Sequence, residues 1–132
     1  MRTPAVKASL RRSTPPQLGV GLPNATSLAA MGVQAKVESA MLAGDSNWGI
    51  LQIDFWNAFN SLSRADLLQE VGERCPEAAA WLHGCYGAHS PLYCQDKVLV
   101  SASGVQQGDP CGPAAFAWGI QPILEKLSTI TA

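Results

Sequence analysis

Asp109-Pro110 is the strongest constraint this chain places on its own fold. Aspartate accepts hydrogen bonds from the amides of a first helical turn. Proline has its φ preset for that turn and lacks the N–H that the turn leaves unpaired. The pair predicts a helix start, and the apolar residues behind it carry the helix to about Leu127, with Gly119 and Pro122 as weak points. In front of it, Gly104-Val105-Gln106-Gln107-Gly108 holds two amide side chains between glycines. Glycine allows close backbone approach and unusual dihedrals. A glutamine amide offers donors and an acceptor to a sugar, base or phosphate. The run is therefore either an empty connection from a hairpin to a helix or one wall of a polar site. Asp109 itself reads as the helix cap rather than a metal ligand.

The other elements follow from similar local chemistry. Residues 1–16 read as an irregular basic arm ending in Pro15-Pro16, and Gln17 to Pro23 as a Gly/Pro loop. Ala25 to about Leu42 has helical periodicity, with Ala30, Val33, Val37 and Met41 on one face and Gly44 as the cap. Trp48 to Ile53 reads as a central strand. Asn60 and Ser63 are candidate N-caps, with Leu62, Leu67, Leu68 and Val71 forming the next apolar face. Ser63 with Asp66 makes a capping arrangement, and Arg64 reads as solvated. Pro76 opens a helix to Tyr86, with Trp81, Leu82 and Tyr86 as core candidates, and Gly87 closes it. Leu92-Tyr93-Cys94 and Val98-Leu99-Val100 flank Gln95-Asp96-Lys97 as a hairpin. The order predicts an α+β fold, with helices packed on a small antiparallel sheet.

At 132 residues the chain has the length of about one domain, and an apolar content of 47% against 14% charged suffices for a core. The net charge of −1 is unevenly spread. Arg2, Lys7, Arg11, Arg12 and Lys36 all precede the first acid, Glu38; from there on, four basic residues stand against ten acids. The basic head suits a phosphate backbone, a targeting segment or a solvated tail. No apolar stretch approaches the length of a membrane span, and no secretory segment follows Met1. Cys75, Cys85, Cys94 and Cys111 include no C-x-x-C pair. They read as buried free thiols of a reducing, intracellular compartment rather than as a metal cluster with His83 and His89.

Asp54 directly follows the apolar Ile50-Leu51-Gln52-Ile53. A carboxylate at the exit of a buried strand is costly unless it is solvated, paired or on a metal. The residue alone leaves two readings open, a cap on the next turn and an oxygen ligand for Mg²⁺.

The block Asp54-Phe55-Trp56-Asn57-Ala58-Phe59-Asn60, followed by Gly104 to Pro110, resembles two signature blocks of the reverse transcriptase palm, in particular that of non-LTR retrotransposons. Gln17-Leu18-Gly19-Val20-Gly21 is similar to the segment leading into that palm, and the likeness extends over residues 17–127. The resemblance implies a partial palm over 17–132. It implies that the Asp54 carboxylate and the Phe55 carbonyl bind catalytic Mg²⁺ or Mn²⁺. Phe59 would be a steric gate lying where a ribose 2′-OH would sit, and Gln107 and Gly108 would lie against the incoming nucleotide and template. The implied reaction is template-directed addition of deoxynucleotides to a primer 3′-OH, on an RNA or DNA template-primer. Trp56, Cys111 and Ala114-Ala115 depart from the residues usual at those places. No Tyr/Phe-Ala-Asp-Asp block occurs in these 132 residues, so the resemblance implies a fragment without polymerase activity of its own. The alternative is a non-catalytic nucleic-acid-binding or interaction protein derived from a retroelement.

Overall fold

The computed structural model describes residues 4–12, 17–20 and 22–130. Among these, six helices and one two-stranded antiparallel sheet form an α+β arrangement. The chain divides into two compact units. One is Leu18–Trp56; the other joins the described residues up to Gln17 with those from Asn57 onward. No helix among the described residues is long and apolar enough to cross a membrane.

The larger unit contains α1 (Pro4–Arg11), α3 (Ala58–Ser61), α4 (Arg64–Arg74), α5 (Pro76–Tyr86), β1 (Ser90–Cys94), β2 (Lys97–Ser101) and α6 (Gly112–Ile130). Its core is helix on helix: Leu67 and Val71 of α4, Ala78 and Leu82 of α5, and Ala115, Ala117 and Trp118 of α6 are all buried. Each fully buried Leu contributes about 1.5–3 kcal/mol through lost water contact. Ser63 caps α4, its hydroxyl accepting from the Asp66 amide at 3.3 Å, and Pro76 takes the first turn of α5, as the sequence predicts. Gly119 is not a weak point. A Cβ there would lie 2.8 Å from Leu62 Cδ2, so the bare backbone of α6 is what lets Leu62 pack against it. Pro122 sits inside α6, which continues to Ile130.

Three expectations need correction in this unit. Residues 4–11 are helical rather than irregular; Pro15 and Pro16 lie outside the described residues. Val6 and Leu10, one turn apart, are buried, while Lys7, Arg11 and Arg12 stay outside. The Ser9 hydroxyl fixes this helix: it donates to the Arg74 carbonyl at 2.6 Å and accepts from the buried Trp118 Nε1 at 3.2 Å. Trp81 is 60% exposed, whereas Leu82 and Tyr86 are buried. The hairpin forms where the sequence puts it, but Lys97 belongs to β2 and not to the connection: it pairs with Cys94 around a two-residue turn, with Gln95 at φ 53°. Residues 91–100 are nonetheless exposed throughout, so the helices pack on one another and not on the sheet.

The smaller unit carries α2 (Ala25–Ala43). Gly44, at φ 64°, ends α2 in a left-handed cap, its amide donating to the Met41 carbonyl and that of Asp45 to Ala40. Trp48–Ile53 is not a strand: it forms no β ladder, and Ile50, Leu51 and Ile53 are exposed. An apolar run becomes a strand only where a second strand accepts its N–H and C=O groups, and apolarity does not supply that partner.

Candidate functional site

Phe59, Gln107 and Gly108 line one cleft of about 320 Å³, together with Gln106, Asp109 and Pro113. Two backbone hydrogen bonds assemble it. The Gly104 amide donates to the Leu62 carbonyl and the Val105 amide to the Phe59 carbonyl, both at 2.8 Å. These bonds lay the 104–105 segment against the 59–62 segment. The approach requires glycine: Gly104 is at φ 68°, and a Cβ there would overlap Phe59 O and Asn60 Cα, well inside the 3.0 Å that real Cβ atoms keep. Val105, 1% exposed, anchors the segment from below.

The Phe59 ring stacks on Phe116 of α6, with centroids 4.8 Å apart and planes 11° off parallel. One face is thereby held rigidly while the ring still lines the cleft. The Asp109-Pro110 helix start needs correction: α6 begins at Gly112, with Pro110 and Cys111 in the turn before it, so Asp109 is not its N-cap and instead closes that turn, its Oδ1 accepting from the Cys111 amide at 2.8 Å. Its other oxygen accepts from the Tyr86 hydroxyl, and that hydroxyl in turn accepts from the Gln106 amide at 3.3 Å. Burial, reinforced by the bond to Asp109, pushes the Tyr86 hydroxyl up to about 12.

Arg64 completes the support, and here the sequence reading is wrong: it is 8% exposed, not solvated. Its Nε donates to Gly104 O at 2.9 Å, Nη1 to Ser101 O at 2.8 Å and Nη2 to Ser101 Oγ at 2.7 Å. The guanidinium also lies 5.3 Å from the centroid of the Tyr86 ring. One arginine thus grips the loop entering the cleft and the tyrosine that holds its far side. The signal was present in the sequence. Position 64 precedes Leu67 and Leu68 by three and four residues and Val71 by seven, which places it on the buried face. Gln17 is a second missed support; its Nε2 donates to Ala117 O and, at 2.6 Å, to Oε1 of the fully buried Gln121. Burial raises the Cys75 and Cys111 thiols, whereas Cys85 and Cys94 are exposed.

Asp54 and Phe55 belong to the Leu18–Trp56 unit, where both are exposed in irregular backbone. Asp54 is therefore not at a strand end. Among the described residues, no group of three or more His, Cys, Asp or Glu side chains is placed to hold a metal ion. Mg²⁺ binds through one or two carboxylates and completes its octahedral shell with waters and substrate phosphates, so the Asp54 carboxylate and the Phe55 carbonyl would supply part of such a shell. What the cleft offers chemically is an aromatic ring held by stacking, two primary amides, the Asp109 carboxylate and backbone at Gly108, a set of one flat apolar surface with hydrogen-bond donors and acceptors around it. No protein-family model, no curated protein and no solved structure matches this chain.

Proposed function

We propose that this chain is the nucleotide-contacting part of a retroelement-type reverse transcriptase palm, and that its cleft receives the sugar and base of a deoxynucleotide. The observation that carries the reading is the convergence of Phe59, Gln107 and Gly108, far apart in sequence, on one cleft. Phe59 is the gate: with its ring held by Phe116, it rejects an added 2′-hydroxyl by overlap rather than by losing a bond. Gln107 supplies the adaptable donor and acceptor, and Gly108 lets a base or strand approach the backbone. No chemical step is assigned to residues 1–132, because they supply one candidate metal carboxylate, Asp54, where two-metal transfer needs more.

The test is equilibrium binding of a deoxynucleoside triphosphate and of its ribose counterpart to the full chain and to Phe59→Ala. Rejection of an added hydroxyl by an apolar wall reaches about 100-fold at most. The full chain is expected to prefer the deoxy form by about 10- to 100-fold, and Phe59→Ala to lose most of that preference while keeping deoxynucleotide binding. Equal affinity for the two sugars in the unaltered chain removes the gate assignment.

A further inference from the structure

A second cavity, of about 590 Å³, lies in the larger unit and shares no lining residue with the Phe59 cleft. It is lined by Ser63, Arg64, His83, Tyr86, His89 and Ser103, among others. We propose that this cavity is an oxyanion site that takes a phosphate group.

Charge is the first argument. The wall holds one guanidinium, two imidazoles and three hydroxyls, of which Tyr86 and Ser103 donate to Asp109 and to the Asn60 carbonyl, and no carboxylate lines it. Arg64 is buried there, yet its partners are two carbonyls and a hydroxyl. Arg74 shows the contrast: it is held by the carboxylates of Glu70 and Glu125 at 2.6 and 2.9 Å. Among the described residues, no carboxylate is paired with Arg64. A buried cation without a counter-ion is costly, and an anion in the adjoining cavity offsets that cost.

Hydrogen-bonding capacity is the second argument. A guanidinium has five N–H donors, and Arg64 uses three. The Ser63 hydroxyl accepts from the Asp66 amide, which leaves its proton to donate. These donors come from the first turn of α4, while the imidazoles come from α5 and the segment after it. Donors from several directions suit a tetrahedral oxyanion. A cation is repelled by the guanidinium, and an apolar ligand leaves the remaining N–H groups unpaired. The volume falls within the ~300–1,000 Å³ of small-ligand clefts, so there is room for whatever the phosphate is attached to.

The chain has two histidines, and both line this cavity, which gives a direct reporter. Inorganic phosphate is titrated into the full chain at neutral pH, with chloride keeping ionic strength constant, while the two imidazoles are followed by NMR. Both are expected to shift saturably, with half-saturation at least ~10-fold higher in Arg64→Lys, which keeps the charge but loses the planar fork. Should Arg64→Lys not fold, His83→Ala takes its place: His83 is exposed, His89 reports, and half-saturation is expected to rise severalfold. A parallel titration with dimethyl phosphate separates the sources. Saturation by inorganic phosphate alone assigns a free or terminal phosphate, and saturation by both assigns a nucleic-acid backbone. Shifts that grow linearly with phosphate, or half-saturation unchanged in the variants, overturn the proposal.

Discussion

Gly104→Ala tests how the candidate cleft is assembled. Three costs follow from the structure. The backbone at φ 68° suits glycine, and an alanine there costs about 1–2 kcal/mol. The new Cβ overlaps Phe59 O and Asn60 Cα, which are backbone atoms and cannot swing aside, so the two segments must part. Parting them gives up the bonds from Gly104 N to Leu62 O and from Val105 N to Phe59 O, at about 1 kcal/mol each, and loosens the packing of Val105. The expected loss is about 3–5 kcal/mol, a large share of the stability of a small domain. Gly108→Ala is the control. Its φ of 91° is also unfavourable, but a Cβ there meets nothing within 4 Å, so only strain of about 1–2 kcal/mol is expected. Urea unfolding of both variants, comparing midpoints at constant slope, reads the difference. Equal losses in the two variants would refute the close-approach argument.

Three further perturbations address the supports of the cleft and core. Arg64→Lys retains charge but cannot satisfy Gly104 O, Ser101 O and Ser101 Oγ together; a loss of about 2–4 kcal/mol is expected by urea unfolding. Because the Tyr86 hydroxyl is raised in the folded chain to about 12 from its ordinary 10, its stabilising effect is complete below pH 10 and is lost as pH climbs towards 12. Across that window the unaltered chain should lose up to ~3 kcal/mol more than Tyr86→Phe, measured as the difference between their unfolding free energies. Ser9→Ala leaves the buried Trp118 indole N–H unpaired, and a loss of about 1–3 kcal/mol is expected, with earlier hydrogen exchange in α1.

Local chemistry made much of the secondary structure legible. The Ser63 cap, the Pro76 start and the Gly44 stop each depend on neighbours within a few residues, and each stands where the sequence puts it. The misses share a different cause. The apolarity of Trp48–Ile53 predicts a strand, but a strand exists only through a partner. The helix at 4–11 rests on two apolar anchors, too few for periodicity to stand out beside the basic charge. Trp81 is a core candidate in the sequence, but the buried face of α5 follows Ala78, Leu82 and Tyr86.

The site divides in the same way. Of the five residues that the family resemblance implies, Phe59, Gln107 and Gly108 meet in one cleft, and Asp54 and Phe55 are not among its lining. Its supports were not read. The Arg64 fork joins α4 to the loop after β2, and the Tyr86 bond joins α5 to Asp109 in the turn ahead of α6. Contacts between distant segments leave no local pattern. Only the spacing of Arg64 from Leu67 and Val71 hinted at burial.

The most direct test of the nucleotide reading is photo-crosslinking of a deoxynucleoside triphosphate bearing a photoreactive base to the full chain, with the labelled residues located by mass spectrometry. The account predicts label confined to Phe59 and the Gln106–Pro113 segment, displaced by unmodified deoxynucleotide and much less by its ribose counterpart. Label located elsewhere, or displaced equally by both sugars, would contradict it.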